Sequence, residues 1–121
     1  FIDLYGIKFK DINKMNVSLK YQAIGEGQMD VTDVFATDGQ IRQYDLKILE
    51  DDKNFFPPYY AAPIVRKDVL NAYPQLEDVL NMLAGNINDE VMTELNYKID
   101  VEQQQIEKVA KEFLQSKGLI K

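Results

Sequence analysis

Three short stretches of the sequence combine residue types that could bind a ligand or perform chemistry. They are a polar turn, an acidic run and an aromatic-proline stretch, namely "TDG" at 37–39, "EDD" at 50–52 and "FFPPYY" at 55–60. A polar turn that follows a strand is where ligands bind in open α/β sheets. Thr37 and Asp38 could instead cap the next helix, which is the commoner role for such residues.

The acidic run offers neighbouring carboxylates, which elsewhere perform acid–base chemistry or bind a cation. Glu50, Asp51 and Asp52 are adjacent in the chain, so they lack the alternating ligand spacing of a calcium loop. No other type of metal ligand stands beside them. We therefore expect a solvated loop rather than a metal site.

The aromatic-proline stretch could hold a ring in a fixed direction. Proline fixes its own φ and extends the residue before it, so Pro57-Pro58 forms a stiff strut that presents Phe56 and Tyr59. A pre-set ring costs little entropy to use as a binding wall, and its face attracts quaternary ammonium groups. The alternative is that these rings fill a core beneath a bend. The residues alone favour the core slightly.

Composition excludes several classes of function. The 121 residues contain no Cys and no His, which removes thiolate chemistry, the usual nucleophile–base pairs and structural zinc sites. We therefore expect no enzyme, no cofactor and no metal. The net charge is −6 and the cations are scattered among acids, which argues against a nucleic-acid partner. An acidic surface is compatible with a cationic ligand.

Hydrophobic periodicity predicts strands interleaved with helices, followed by a run of helices. The predicted strands are 7–9, 29–35, 45–51 and a strand that contains Pro63, and the predicted helices lie within 18–27, 37–44, 74–85, 88–100 and 101–118. Predicted N-caps are Ser18, Thr37 and Asn88, and predicted helix stops are Gly25, Gly27, Gly85 and Gly118. The order indicates an α/β layer with a C-terminal helical cover.

An ordered series of motifs then resembles a known family. The segments are "FATDGQI" (35–41), "DLKILEDDKNFFPPYYAAPIV" (45–65) and "LNAYPQLEDVLNMLAGNINDEVMTELNYKIDVE" (70–102). Together they resemble the substrate-binding proteins of bacterial ABC importers for glycine betaine, choline, carnitine and related osmoprotectants. The resemblance implies the C-terminal portion of a two-lobed, type II periplasmic-binding-protein fold. Residues 1–33 would end the second lobe and form the crossover strand, and residues 34–121 would form the C-terminal part of the first lobe.

The resemblance also implies a binding site. In such proteins the trimethylammonium head of the ligand lies in a cage of aromatic rings from both lobes. Two cage positions fall in this chain, Tyr59 in the "PPY" motif and Phe35 immediately before "ATDG". Tyrosine is common at the second position, so Phe35 is a departure that keeps the ring face and loses the hydroxyl. Phe55 and Phe56 are predicted core residues.

The function implied by the resemblance is solute binding for ABC-type import of quaternary ammonium osmoprotectants. The expected partners are a small quaternary ammonium molecule and the membrane permease of the importer. The expected location is the periplasm or the extracellular face of the bacterial cytoplasmic membrane, as a lipoprotein or fused to the permease. The alternative is an oligomeric interaction domain without solute binding, which could form a strand-exchanged homodimer.

Overall fold

The computed structural model describes residues 2–121, and the regular structure within this range is entirely helical. The helices are α1 (Ile2–Tyr5), α2 (Val17–Gly25), α3 (Gln40–Gln43), α4 (Lys67–Ala72), α5 (Gln75–Asn81), α6 (Asp89–Asp100) and α7 (Ile106–Ser116). The series of helices in the C-terminal half therefore agrees with the predicted helical cover. None of the helices between residues 2 and 121 is long and apolar enough to cross a membrane.

The predicted strands are not formed in the part of the chain that the structure describes. Segments 7–9, 29–35 and 45–51 and the segment around Pro63 carry no strand. The prediction of strands is thus unsupported, for a physical reason. Alternation of apolar and polar residues is a local signal, whereas a strand exists only when a neighbouring strand completes its hydrogen-bond ladder. Residues 2–121 provide no such ladder for these segments.

Several predicted helix boundaries are confirmed. The side chain of Asn88 accepts a hydrogen bond from the backbone N–H of Val91 at 2.9 Å, so Asn88 caps α6. Helix α5 begins directly after Pro74. Gly118 has a φ of +68° just beyond α7, and its N–H donates to the carbonyl of Gln115 at 2.9 Å. This left-handed glycine is the predicted stop of α7.

Two predicted N-caps are wrong. Helix α2 begins at Val17, so Ser18 lies inside its first turn. Helix α3 begins at Gln40 after Gly39, and Thr37 lies further upstream in a turn. Side chains of helix α6 donate hydrogen bonds to the backbone of this turn. At α3, the bond from Asn96 of α6 to the carbonyl of Thr37 holds Thr37 in the turn instead of at the helix cap.

Helix α6 lies at the centre of the packed part of the molecule. It contacts α3 on one side and α7 on the other, whereas α4 and α5 pack on each other. A Cβ atom added to Gly39 would lie 2.7 Å from the backbone nitrogen of Tyr97, so α3 and α6 meet backbone to backbone at this glycine. Arg42 strengthens the contact because it pairs with Glu94 and lies over the Tyr97 ring at 4.6 Å.

Most of the apolar side chains remain accessible. The described chain exposes 10193 Å², whereas a compact monomer of this length exposes about 6,700 Å². Among the described residues, the buried apolar side chains are Tyr21, Ile41 and Val109. The chain thus carries much more apolar surface than it covers by its own packing.

Candidate ligand-binding site

The structure brings together the two rings that the sequence selected. Phe35 and Tyr59, far apart in the chain, lie with ring centroids 6.4 Å apart and planes at 77°. This is the edge-to-face geometry that aromatic pairs prefer. Phe35 is 66% exposed and Tyr59 is 76% exposed, so ring surface on both remains open to a ligand. The two ring planes thus lie nearly perpendicular to each other.

The predicted core role of the neighbouring rings is wrong for the described part of the chain. Phe55 and Phe56 contact each other edge to face with centroids 4.9 Å apart, but they are 42% and 54% exposed. Tyr60 is 89% exposed. The Pro57-Pro58 strut therefore carries its aromatic side chains on the surface of this chain instead of over a core.

A turn built around Asp38 holds Phe35. The Asp38 carboxylate accepts the backbone N–H of Phe35 at 3.3 Å and the hydroxyl hydrogen of Tyr21. The backbone N–H of Asp38 donates in return to the carbonyl of Phe35 at 3.0 Å. Asp38 thus closes the turn onto the ring-bearing residue, a role that its position alone did not distinguish from helix capping.

Helix α6 holds the same turn from the other side. The hydroxyl of Thr93 donates to the carbonyl of Ala36 at 3.1 Å, and the side-chain amide of Asn96 donates to the carbonyl of Thr37 at 2.7 Å. Together with the close approach of Gly39 to α6, these bonds fix the backbone that carries Phe35. The position of Phe35 therefore depends on the packing of α3 against α6.

Tyr21 supports the turn from α2. Its side chain is only 2% exposed, and its ring stacks on Tyr44 with centroids 6.4 Å apart and planes at 8°. Burial raises the pKa of Tyr21, and the hydrogen bond to the Asp38 carboxylate raises it further. The hydroxyl consequently stays protonated and donates to Asp38 over the whole physiological pH range.

A second aspartate holds the chain that leads to Tyr59. The carboxylate of Asp51 accepts the backbone N–H of Phe55 at 3.0 Å and that of Phe56 at 2.8 Å, and it also accepts the hydroxyl hydrogen of Tyr5. The Tyr5 hydroxyl lowers the pKa of Asp51 most, followed by the N–H of Phe56. Asp51 therefore organises a turn.

The acidic run at 50–52 lies in a loop, as predicted. Glu50 and Asp52 are exposed, as the loop prediction requires. Within residues 2–121, no three acidic side chains converge in a way that could hold a metal ion. The turn-forming role of Asp51 was not predicted, because its partners Tyr5, Phe55 and Phe56 include a residue from the distant helix α1.

A wide groove lies beside the site but does not contain the ring pair. It has a volume of about 1110 Å³ and runs between α6 and α7, with Val91, Leu95, Val109 and Phe113 among its apolar walls. Ala36 lines its edge, whereas Phe35 and Tyr59 do not line it. This groove and the exposed ring pair are thus separate features of the surface. The candidate site is the exposed ring pair, because ring faces are the groups that attract quaternary ammonium cations.

Comparison with known proteins defines the class. Residues 1–116 match the sequence profile of the substrate-binding domain of ABC-type glycine betaine transport systems. The class is a solute-binding component of membrane transport and not an enzyme family. The match covers nearly the whole chain, so the chain belongs to this substrate-binding domain family.

Individual relatives agree with the family. A carnitine transport binding protein of Listeria monocytogenes is 44% identical over 115 residues, which cover 95% of this chain and 37% of that protein. A protein of Helicobacter pylori named as an ergothioneine transport permease and binding protein is 40% identical over 115 residues, covering 95% and 21%. A glycine-betaine-binding protein of Pseudomonas aeruginosa is 38% identical over 120 residues, covering 98% and 39%.

A solved structure shares the fold. A crystal structure of a glycine betaine/carnitine/choline ABC transporter superposes with a TM-score of 0.88 at 37% sequence identity, covering 98% of this chain and 43% of that one. The chain spans about two fifths or less of the length of the curated relatives described above. The structure therefore corresponds to one portion of a longer binding protein fold.

Proposed function

We propose that this chain is part of a solute-binding protein for ABC-type import of quaternary ammonium osmoprotectants such as glycine betaine, carnitine and choline. The observation that carries the proposal is the edge-to-face pair of Phe35 and Tyr59, with ring surface exposed on both. The family supports the class of function.

The chemistry of the ligands named for the relatives suits two ring walls. Glycine betaine, carnitine and ergothioneine each carry a trimethylammonium group and a carboxylate. A trimethylammonium group has no N–H to donate, so hydrogen bonding to the cation cannot recognise it. A ring face attracts such a cation by about 0.5–2 kcal/mol, with the larger values where water is excluded. Phe35 and Tyr59 are therefore proposed to form two walls of an aromatic cage.

The remaining walls are proposed to come from parts of a longer, two-lobed, type II binding protein. In this proposal residues 1–33 end the second lobe and residues 34–121 contribute to the first. The bonds of Tyr5 to Asp51 and of Tyr21 to Asp38 then join the two proposed segments. Closure of the lobes around the cation would exclude water and strengthen the ring contacts.

The proposed partner is the membrane permease of the importer. The proposed location is the periplasm or the outer face of the bacterial cytoplasmic membrane, with the binding protein held as a lipoprotein or fused to its permease. The name of the Helicobacter pylori relative, which combines a permease and a binding protein, supports a fused arrangement.

Calorimetry tests the proposal. The complete protein that contains this chain is titrated with glycine betaine, carnitine and choline, and a Tyr59→Ala variant is titrated alongside a Tyr60→Ala control. We expect binding of at least one ligand, a clear loss with Tyr59→Ala and a smaller effect of the control. Absence of heat from all three ligands, or wild-type affinity in Tyr59→Ala, would contradict the proposal.

The exposed apolar surface favours a second candidate function, an oligomeric interaction domain that binds no solute. Strand exchange has no support in the structure, because residues 2–121 contain no strand. Light scattering on the complete protein distinguishes the two candidates. A monomer that binds glycine betaine would rule out the second one.

A further inference from the structure

We infer that Asp51 is a positioning residue that fixes the direction of the Tyr59 ring. This inference rests on the proposed function, in which Tyr59 is a wall of the ligand site. Asp51 contacts neither ring of the Phe35–Tyr59 pair. Its effect would pass through the backbone of Phe55 and Phe56, which precedes the proline strut.

Among the described residues, the proline strut forms no hydrogen bond that could hold it. Pro57 and Pro58 have no backbone N–H to donate. From residue 57 to residue 65, the structure shows no hydrogen bond to any other described residue. The last anchored residues before Tyr59 are therefore Phe55 and Phe56, whose backbone N–H groups both donate to the Asp51 carboxylate.

The backbone between Phe56 and Tyr59 is stiff. Each proline fixes φ near −65°, and the residue before a proline is restricted to extended conformations. Phe56 precedes Pro57, and Pro57 precedes Pro58, so the backbone from the anchor to Tyr59 has few free torsions. The backbone direction at Phe56 therefore determines the backbone direction at Tyr59, because few torsions between them can rotate freely.

Asp51 is itself held in place by contacts with α1. Tyr5 donates its hydroxyl hydrogen to Asp51 and accepts the backbone N–H of Lys53 at 3.0 Å. The ammonium group of Lys53 donates to the carbonyl of Leu4 at 2.8 Å and lies 5.0 Å from the centre of the Tyr5 ring. These contacts tie the turn to α1, which gives the anchor a fixed frame.

The chain offers a matched control for the test. Asp51 uses both carboxylate oxygens: Oδ1 accepts from Tyr5 and Phe55, and Oδ2 accepts from Phe56. An asparagine side chain has only one acceptor oxygen, so Asp51→Asn must break at least one of these bonds. Asp52→Asn makes the same change of charge one residue away and breaks none of them.

The experiment measures the ring pair directly and then the ligand. In the complete protein, NMR detects nuclear Overhauser effects between the ring protons of Phe35 and Tyr59. Titration then gives the affinities for glycine betaine and for 3,3-dimethylbutyrate, the isostere in which a neutral tert-butyl group replaces the trimethylammonium group. Asp51→Asn should weaken the ring-to-ring signal severalfold. It should also lower the preference for glycine betaine over the isostere by about 2- to 30-fold, the value of one ring–cation contact. Asp52→Asn should leave both unchanged.

Each outcome decides the inference. Ring contacts in Asp51→Asn equal to those in Asp52→Asn would overturn it, as would equal weakening of both ligands, which indicates general destabilisation. If the wild-type protein binds neither ligand, the proposed function fails, while the ring contacts still test the role of Asp51. If Asp51→Asn does not fold, Asp51→Glu keeps the charge and, through its longer side chain, displaces the carboxylate from the N–H groups of Phe55 and Phe56. A weakened ring contact in that variant supports the inference, and an unchanged one overturns it.

Discussion

Replacing Gly39 by alanine should separate α3 from α6 and disturb the turn that carries Phe35. The added Cβ would lie 2.7 Å from the backbone nitrogen of Tyr97, 2.8 Å from its Cα and 2.9 Å from the carbonyl carbon of Asn96. All three distances are well inside van der Waals contact, which begins near 3.5 Å between carbon atoms. The obstructing atoms belong to the backbone of α6, so a change of rotamer cannot relieve the clash.

The magnitude follows from the kind of strain. Forcing extra volume into a packed contact costs about 1–3 kcal/mol, and a backbone-to-backbone contact belongs at the upper end of that range. Gly39 has a φ of −62°, which alanine adopts without strain, so the whole cost is steric. The displaced α6 carries Thr93 and Asn96, which bond the 36–37 turn, so Phe35 should move as well.

The assay is urea unfolding of the complete protein together with titration of glycine betaine. We expect Gly39→Ala to lower the free energy of unfolding by about 2–3 kcal/mol and to weaken binding. Gly27→Ala is the control, since no atom lies within 4 Å of its added Cβ and its cost is the roughly 1 kcal/mol of a left-handed φ. Equal stability losses in the two variants would refute the steric argument.

Three further predictions concern single contacts. Tyr21→Phe should lower the free energy of unfolding by about 1–3 kcal/mol in urea titrations, because the Asp38 carboxylate loses a buried donor; a change below about 0.5 kcal/mol would contradict this. Asn88→Ala should lower the free energy of unfolding by about 0.5–2 kcal/mol, because α6 loses its N-cap. The exposed Asn81→Ala variant is the reference for the effect of the substitution on helix propensity. The folded-state pKa of Asp51 is lowered, so its contribution to stability is complete above the unfolded value of about 3.9 and is lost as pH falls through the lower, folded value. Stability of the wild type should therefore fall more steeply below about pH 4 than that of Asp51→Asn, and parallel pH profiles would show that the bonds of Asp51 do not stabilise the fold.

The helical half of the fold could be predicted from the sequence because its signals are local. Asn88, Pro74 and Gly118 act on their own helix ends, and the structure places each of those ends as expected. The strands could not be predicted in the same way. The segments at 29–35 and 45–51 have the required alternation, but a ladder depends on partners that residues 2–121 do not supply.

The candidate site was likewise predicted only in part. The resemblance selected Phe35 and Tyr59, and the structure places them in contact. The roles of Asp38 and Asp51 were missed because each is defined by a tyrosine distant in sequence, Tyr21 and Tyr5. Local turn chemistry offered no signal, because an aspartate usually accepts the backbone N–H two residues after itself, whereas Asp38 accepts that of Phe35, three residues before it.

The faces of Phe35 and Tyr59 are proposed to recognise a quaternary ammonium cation. The most direct measurement compares the affinity of the complete protein for glycine betaine with that for 3,3-dimethylbutyrate, which has the same shape and carboxylate without the positive charge. Two ring contacts predict a preference for glycine betaine of at least about fivefold, and Tyr59→Ala should reduce it. Equal affinities for the two ligands, or a preference that Tyr59→Ala leaves intact, would contradict the account.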